Sequence, residues 1–263
     1  MISAGRLAWL ARSAVLASPS IVLEPLEKPP AGATLEPDRA LYPASMIKLP
    51  VALALAVRCS AGDLGWDDEV TIGAENLTAN DAPSPCVAGA SLSLAELNFE
   101  MISASDNVAT NVLIDVLGRE TIGQACTRFG LRDTAVRRKL SGSTLIDDPG
   151  ATGRNTHPAG DAALILRAIA LGTAPAADRL YAALRAQIWN DKLSRGLVAG
   201  DRFVHKTGDT SEVSHDGGIL QLADGRRFVL VVYTALPSSP ENDARFAAFA
   251  RALRPYFDRN EPD

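Results

Sequence analysis

The stretch Ser45-Met46-Ile47-Lys48 leads directly into an apolar run, Val51-Ala52-Leu53-Ala54-Leu55-Ala56-Val57. That run is apolar on every side, which predicts a helix buried on most of its faces. Residues three apart share one face of a helix, so we expect the Lys48 amine to reach the Ser45 hydroxyl. A serine hydroxyl needs an adjacent base to act as a nucleophile. A lone Ser-x-x-Lys is equally typical of an ordinary capped helix, so the motif needs support elsewhere.

The residues around this motif predict where the helix begins. Pro43 favours an extended entry, which would place Ser45 at the N-terminus of the helix. The Ser45 N–H would there be free to bind an oxyanion, supported by the helix dipole. Pro50 lies close enough to the helix start to be tolerated.

Ser105-Asp106-Asn107 interrupts an apolar helical stretch. Polar side chains at a junction between buried helices are costly unless they find partners. One interpretation is structural, with Ser105 or Asp106 capping the next helix. The other is chemical: Ser105 passes a proton to a leaving group, Asn107 binds a substrate amide, and Asp106 anchors the junction. The two interpretations are compatible.

Lys206-Thr207-Gly208 ends a predicted strand. Gly208 would let a substrate backbone lie against that strand, as an added strand does. We expect Lys206 and Thr207 to bind a substrate carboxylate. The charge of Lys206 would also lower the pKa of Lys48 or Ser105. Taken alone, the motif indicates only an edge lysine and a turn glycine.

Two further residues near this strand are candidates for the site. The backbone N–H of Asp209 would supply a second oxyanion donor. His215, on the following strand, is either a substrate ligand or an ordinary strand-end histidine.

Composition limits the possible partners. The chain has 263 residues, 47% hydrophobic and 22% charged, which is an ordinary globular composition. Its formal net charge is −5, and the only dense basic run is Arg137-Arg138-Lys139. The sequence therefore indicates neither a nucleic-acid nor a membrane partner. We expect a monomer that acts on a small molecule.

The cysteines and histidines indicate no metal centre. They are Cys59, Cys86, Cys126, His157, His205 and His215. The cysteines are either small core residues or one disulfide with a free thiol. The histidines lie far apart in sequence and lack a ligand spacing, so we predict no metal site.

The N-terminal segment is ambiguous. Residues 7–17 are apolar and follow Arg6, but Arg12 interrupts them and the segment is too short to span a bilayer. Its apolar positions fit an amphipathic helix that packs onto the fold. We therefore expect no export signal in the chain as given, and the compartment stays open.

Strand patterns occur towards both ends of the chain, and helical patterns fill the middle. Strands are predicted at 20–24, 34–36, 202–207, 217–222 and 227–233, and helices from 45 and at 92–104, 108–117, 122–129, 161–171, 176–189 and 241–257. The terminal parts must share one antiparallel sheet. We predict an α/β (α+β) fold in one domain, with a sheet lobe (about 1–44 and 195–263) flanked by helices and an inserted all-helical lobe (about 45–194). Residues 140–158 predict a long loop of the functional kind.

The three motifs, their order and this layout resemble the class A β-lactamase and penicillin-binding-protein superfamily. The resemblance extends from about residue 20 to the end of the chain. Arg154-Asn155-Thr156-His157-Pro158 resembles the end of the Ω-shaped loop of that family. It implies a serine hydrolase that forms an acyl-enzyme at Ser45, with Lys48 and Ser105 as catalytic partners and with neither metal nor organic cofactor.

The loop departs from the family pattern. Class A enzymes carry a Glu there, followed by an Asn, and the two hold the deacylating water. Counting along the loop puts Ser141 near the position of that Glu and Leu145 near that of the Asn. The first carboxylates, Asp147 and Asp148, are assigned to the turn before Pro149. Loss of a positioned base costs about 10²–10⁴ in rate, so we expect an ester at Ser45 that forms and persists.

Two alternatives remain open from the sequence. The same scaffold serves an esterase, peptidase or amidase that acts on a non-lactam substrate. It also serves a binding or sensor module that is acylated once or only binds.

Overall fold

The structure, a computed structural model, describes residues 2–27, 32–142 and 145–257. Its main element is a five-stranded antiparallel sheet. The strands are β1 (Ser20–Pro25), β2 (Ala33–Leu35), β5 (Arg202–Asp209), β6 (Ser214–Gln221) and β7 (Arg227–Thr234), in the spatial order β2-β1-β7-β6-β5. The two ends of the chain thus build one sheet, as predicted.

Eight α-helices occur in the described residues. They are α1 (Ala4–Ser13), α2 (Lys48–Ala61), α3 (Leu94–Ser103), α4 (Asn107–Leu117), α5 (Arg119–Arg128), α6 (Ala159–Ala170), α7 (Ala177–Arg185) and α8 (Pro240–Leu253). A small hairpin of β3 (Glu69–Thr71) and β4 (Ser91–Ser93), which the sequence did not predict, precedes α3. The α+β fold with helices flanking an antiparallel sheet is confirmed.

The sheet separates two hydrophobic cores, because successive side chains of a strand point to opposite faces. On β7, Val229, Val231 and Tyr233 face the core shared with α2 to α7. Leu230 and Val232 face the core shared with α1 and α8. Every one of these five side chains is at most 1% exposed, so β7 is the central wall of the molecule.

Helix α2 lies in the middle of the larger core. The segment Ala44–Ala61 is long and apolar enough to cross a membrane, with a mean hydropathy of 1.5. However, 67% of its residues are buried inside the fold. Leu53, Ala54 and Leu55 are completely buried. The expectation of a helix buried on most sides is confirmed, and it fixes the start of α2 against the sheet.

Helix α1 and the three cysteines belong to the hydrophobic packing of the protein. Helix α1 buries Leu7, Leu10 and Ala11 against the smaller core, as expected for an amphipathic helix. All three cysteines are free thiols, so the alternative with one disulfide is wrong. Residues 28–31 of the predicted β1–β2 connection and residues 143–144 of the long loop lie outside the described residues.

Helix α7 ends earlier than the sequence pattern predicts. It stops at Arg185, where residues up to 189 were predicted to be helical. The Gln187 side chain donates to the carbonyl of Ile102 (3.1 Å) and the Trp189 indole donates to that of Ala104 (3.2 Å). These bonds turn the chain towards the C-terminal end of α3, which brings Trp189 to the site described next.

Candidate active site

Ser45 lies in a 3₁₀ turn (Ala44–Ile47) that leads into α2. Pro43 has helical torsion angles (φ −75°, ψ −10°), so the prediction of an extended entry is wrong. The bend is made instead by Ala44, whose φ of +47° lies in the left-handed region. A non-glycine residue held there costs about 1–3 kcal/mol and is typical of functional sites.

Lys48, three residues after Ser45, is completely buried. Its Nζ donates to Ser105 O (2.5 Å), to Asn107 Oδ1 (2.9 Å) and to Ser105 Oγ (3.1 Å). Among the described residues no hydrogen bond joins it to Ser45 Oγ, although we expected one. Burial, together with the charge of Lys206, holds the pKa of Lys48 well below its ordinary value.

Ser105 connects the two buried lysines of the site. Lys206 Nζ lies 2.9 Å from Ser105 Oγ, on which Lys48 also converges. Burial lowers the pKa of Lys206 to about 7. Ser105 itself has a left-handed φ of +61°, so a second non-glycine residue of the site is held in an unfavourable conformation. The three motifs therefore meet at one hydroxyl group.

Asp106 anchors this junction. Its Oδ1 accepts from the N–H of Ala109 (2.8 Å), which caps α4. Its Oδ2 accepts from Asn80 Nδ2 (3.0 Å) and from the Ser84 hydroxyl. The sequence predicted both the cap and the anchor, but not the partners, which come from the segment between β3 and β4.

Asn107 is held from three sides. Its Oδ1 accepts from Lys48, its Nδ2 donates to Ala79 O (2.9 Å), and its backbone N–H donates to Asn80 Oδ1 (2.6 Å). The segment that contains Ala79 and Asn80 thereby forms a wall of the site.

Gly208 lies in tight contact with the turn that carries Ser45. A Cβ at this position would lie 3.1 Å from Pro43 O, 3.2 Å from Ala44 Cβ and 3.2 Å from Met46 Cγ. Strand β5 thus packs directly against the turn that carries Ser45. The sequence had predicted a close approach of substrate at Gly208, and in the structure the turn that carries Ser45 occupies one side of it.

These elements surround a cleft of about 370 Å³. Of the predicted residues, Ser45, Ser105, Thr207, Gly208 and Asp209 line it. It is also lined by residues that the sequence did not single out: Asp81, Trp189, Asp191, Lys192, Thr210, Ser238 and Asp243. They come from four separate segments, so no sequence spacing could have grouped them.

The comparisons with known proteins agree with this geometry. A family model described as the β-lactamase enzyme family matches residues 7–257. The chain belongs to the β-lactamase enzyme family. A curated relative, the β-lactamase regulatory protein BlaB of Streptomyces cacaoi, is 25% identical over 274 residues, which cover 84% of this chain and 86% of that protein.

Several solved structures superpose on nearly the whole chain. PBP-A matches with a TM-score of 0.84 and 25% identity, over 97% of this chain and 95% of that one. A PBP-A mutant solved as an acyl-enzyme complex with penicillin G has a TM-score of 0.83, 24% identity and the coverages 97% and 96%. A β-lactamase from Sphaerobacter thermophilus has a TM-score of 0.81, 24% identity and the coverages 98% and 99%. The last two, at this identity, show a shared fold. Together these findings support a serine hydrolase or a β-lactam-binding protein.

His215 does not reach the cleft of this β-lactamase-family protein. Its ring is completely buried and stacks on Tyr233 with 4.1 Å between ring centroids. Nε2 lies 2.8 Å from Tyr42 O and Nδ1 lies 2.8 Å from Ser214 O. The interpretation as a substrate ligand is therefore wrong. His215 instead ties the residues before Ser45 to β6.

Away from Ser45, the contacts of His205 with Asp216 and Ser194 resemble a catalytic triad. Its Nδ1 lies 2.6 Å from Asp216 Oδ1, and its Nε2 lies 3.2 Å from Ser194 Oγ and 3.1 Å from Asn190 Oδ1. The Asn190 amide is oriented by its Nδ2, which donates to Gln187 O. An amide oxygen only accepts, so the Nε2 that faces it donates and cannot take a proton from Ser194. This cluster joins β5 to β6.

In the loop of residues 140–158, the carboxylate of Asp148 is engaged in an ion pair and a backbone hydrogen bond. Asp148 accepts from Arg119 Nη2 (2.6 and 2.7 Å) and from the N–H of Lys139 (2.7 Å). Burial raises the pKa of Asp148, but these hydrogen bonds outweigh it and hold the pKa below its ordinary value. Ser141 Oγ accepts from the N–H of Ile146, and Leu145 is 74% exposed.

Proposed function

We propose that this protein is a serine acyl-transfer enzyme that forms an ester at Ser45 and releases β-lactam products slowly. The observation that carries the proposal is the convergence of Lys48 and Lys206 on Ser105 Oγ, at 3.1 and 2.9 Å, beside a serine that lines the cleft. Two buried amines without a carboxylate partner have lowered pKa values. An uncharged lysine is the base that a serine nucleophile needs.

Acylation follows from these positions. Ser45 Oγ attacks the carbonyl carbon of the substrate, and its proton passes to Lys48 Nζ. The backbone N–H groups of Ser45 and Asp209 stabilise the oxyanion. As the C–N bond of the lactam breaks, Ser105 gives its proton to the leaving nitrogen and takes one from Lys48. The missing Ser45–Lys48 hydrogen bond does not count against this route, because such bonds often tighten only when substrate is bound.

Deacylation lacks the corresponding base. The loop offers Ser141 and Leu145 where a carboxylate and an amide would hold the water, and Asp148 is occupied by Arg119. The carboxylates that line the cleft, Asp81 among them, come from other segments. The expected result is an acyl-enzyme that accumulates.

Intact mass measured within minutes of adding penicillin G tests the proposal. The expected result is a mass increase equal to one penicillin, which is absent in Ser45→Ala and disappears only slowly. A wild-type protein without any adduct would contradict acylation by β-lactams. Rapid hydrolysis without a lingering adduct would contradict slow deacylation. Parallel assays with p-nitrophenyl esters and D-alanyl peptides test for a non-lactam substrate.

A sensor is the second candidate, supported by the similarity to a protein named as a β-lactamase regulatory protein. A sensor of this kind is acylated and turns over nothing. Stoichiometric acylation together with no turnover of any lactam, ester or peptide would favour this function over the enzyme.

A further inference from the structure

Lys192 lines the cleft and forms an ion pair with Asp209, the last residue of β5. Its side chain is 5% exposed. Its Nζ lies 2.7 and 2.6 Å from the two carboxylate oxygens of Asp209 and 3.0 Å from His215 O. The ammonium also lies 5.6 Å from the ring centroid of Phe246. Asp209 Oδ1 accepts a further hydrogen bond from Ser214 Oγ (2.9 Å), so the carboxylate is held in place from two sides.

The position of Asp209 makes this pair matter for substrate binding. Asp209 follows Gly208 at the end of β5, and both residues line the cleft with Ser45. Its backbone N–H is the proposed oxyanion donor, while its side chain carries a negative charge into the same cleft. An unpaired carboxylate there would repel both a substrate carboxylate and the oxyanion. Lys192 neutralises that charge.

The pairing also removes a cation from the cleft. A lysine on a flexible stem that lines a cleft is suited to bind an anionic substrate. Here both oxygens of Asp209 engage the ammonium, so the cation assigned to the substrate carboxylate is Lys206, which is buried behind the cleft-lining residue Thr207. Lys192 keeps its bond to His215 O when Asp209 is truncated, because that bond is to the backbone.

We infer that Asp209 masks Lys192, so that this lysine does not bind substrate. The site therefore disfavours acyl donors that carry more negative charge than Lys206 and Thr207 can bind. Lys192 is a positioning residue that acts through Asp209. The inference rests on the proposed function, because it concerns substrates that react at Ser45.

Four proteins test it: the wild type, Asp209→Ala, Lys192→Met and the double variant. The readout is the second-order rate of acylation by penicillin G, an anionic lactam. Asp209→Ala unmasks Lys192 and is expected to raise this rate about tenfold, the effect of one added charged hydrogen bond. Lys192→Met leaves Asp209 unneutralised and is expected to lower it about tenfold. The double variant, which lacks both charges, is expected to return to the wild-type rate.

An uncharged p-nitrophenyl ester separates charge from folding. Because Asp209 also supplies the proposed oxyanion N–H, the penicillin G rate of each variant is divided by its rate with the ester. This ratio is expected to rise about tenfold in Asp209→Ala and to return to the wild-type value in the double variant. Asp63→Ala, which removes an exposed ion pair with Arg58 (2.9 Å), is the matched control and is expected to change neither rate. If Asp209→Ala and Lys192→Met both slow penicillin G and the double variant is no faster than either, the pair only supports the fold and the inference is wrong.

Equilibrium binding separates this inference from the proposed function. Ser45→Ala and Ser45→Ala/Asp209→Ala are titrated with penicillin G by calorimetry, which needs no acylation. The unmasked variant is expected to bind about tenfold more tightly. Equal affinities would contradict the masking of Lys192 even if the wild type is acylated. Tighter binding would support it even if no adduct forms at Ser45.

Discussion

Two pairs of buried lysines in this protein differ in their partners. Lys139 and Lys192 form ion pairs with Asp115 and Asp209, each at 2.6 Å. Lys48 and Lys206 are completely buried, and within the described residues they donate only to hydroxyl, amide and carbonyl oxygens. A carboxylate partner favours the charged amine, whereas burial without one favours the neutral amine. We therefore expect Lys48 to be available for proton transfer, whereas Lys139 and Lys192 act through their carboxylate partners.

The largest expected effect comes from removing an unpaired lysine. Lys48→Met is expected to lower the acylation rate about 10²–10⁴-fold, the usual contribution of a positioned base. Quenched time points read by intact mass give the rate. Lys139→Met removes a buried lysine of the paired class, and is expected to lower the melting temperature while acylation stays within about twofold. Equal loss of acylation in both variants would mean that buried lysines matter here only for folding.

The next effect is the pH dependence of acylation. Lys48 acts as the neutral amine, so the rate falls about tenfold per unit as the pH drops below its lowered pKa. Lys206 binds the substrate carboxylate as a cation, and its pKa of about 7 predicts a second fall above that pH. Second-order rates report the free protein. A neutral ester is expected to keep the acidic limb and lose the basic one; a basic limb of equal size for both substrates would assign it to another group.

The sequence was sufficient to select the candidate reacting groups because the proposed chemistry requires particular residue types at particular spacings. Ser45, Lys48, Ser105 and Lys206 were selected in this way; the structure places Lys48 and Lys206 against Ser105 Oγ, and Ser45 and Ser105 line one cleft. The partners that hold them could not be found. Lys192 lies 17 residues before Asp209, the last residue of β5, and no local sequence pattern links the two.

The same limit applies to backbone conformation and element ends. Neither Ala44 nor Ser105 is a residue that favours a positive φ, and tertiary packing imposes it at both positions. Trp189 continues the apolar pattern of α7, but bonds to the end of α3 override that local preference. The fold class and the five strands of the main sheet, which depend on hydrophobic patterning, were predicted, whereas the short strands β3 and β4 were not.

A third prediction adds a base to the loop. Ser141→Glu places a carboxylate where counting along the loop puts the missing one, and is expected to shorten the lifetime of the penicillin G adduct about tenfold, less than a fully positioned base would. Ser141→Gln has the same size without the charge, and is expected to leave the lifetime unchanged. Equal lifetimes in the wild type and both variants would show that something other than a missing carboxylate limits deacylation.

The smallest effect is expected when the ion pair of Asp148 is removed. This loop carboxylate has an oppositely charged partner, Arg119, whereas Lys48 donates to uncharged oxygens. Its side chain is 7% exposed and that of Arg119 is 24% exposed, so the pair lies between the exposed and fully buried cases. Asp148→Asn is expected to lower the free energy of unfolding by about 1 kcal/mol, measured by urea denaturation. Asp147→Asn, one residue earlier and exposed, is expected to change it by less than about 0.5 kcal/mol.

Neither substitution is expected to alter acylation or adduct lifetime, because a paired carboxylate supplies structure and no base. A longer adduct lifetime in Asp148→Asn with unchanged stability would make Asp148 the deacylating base and reverse that assignment.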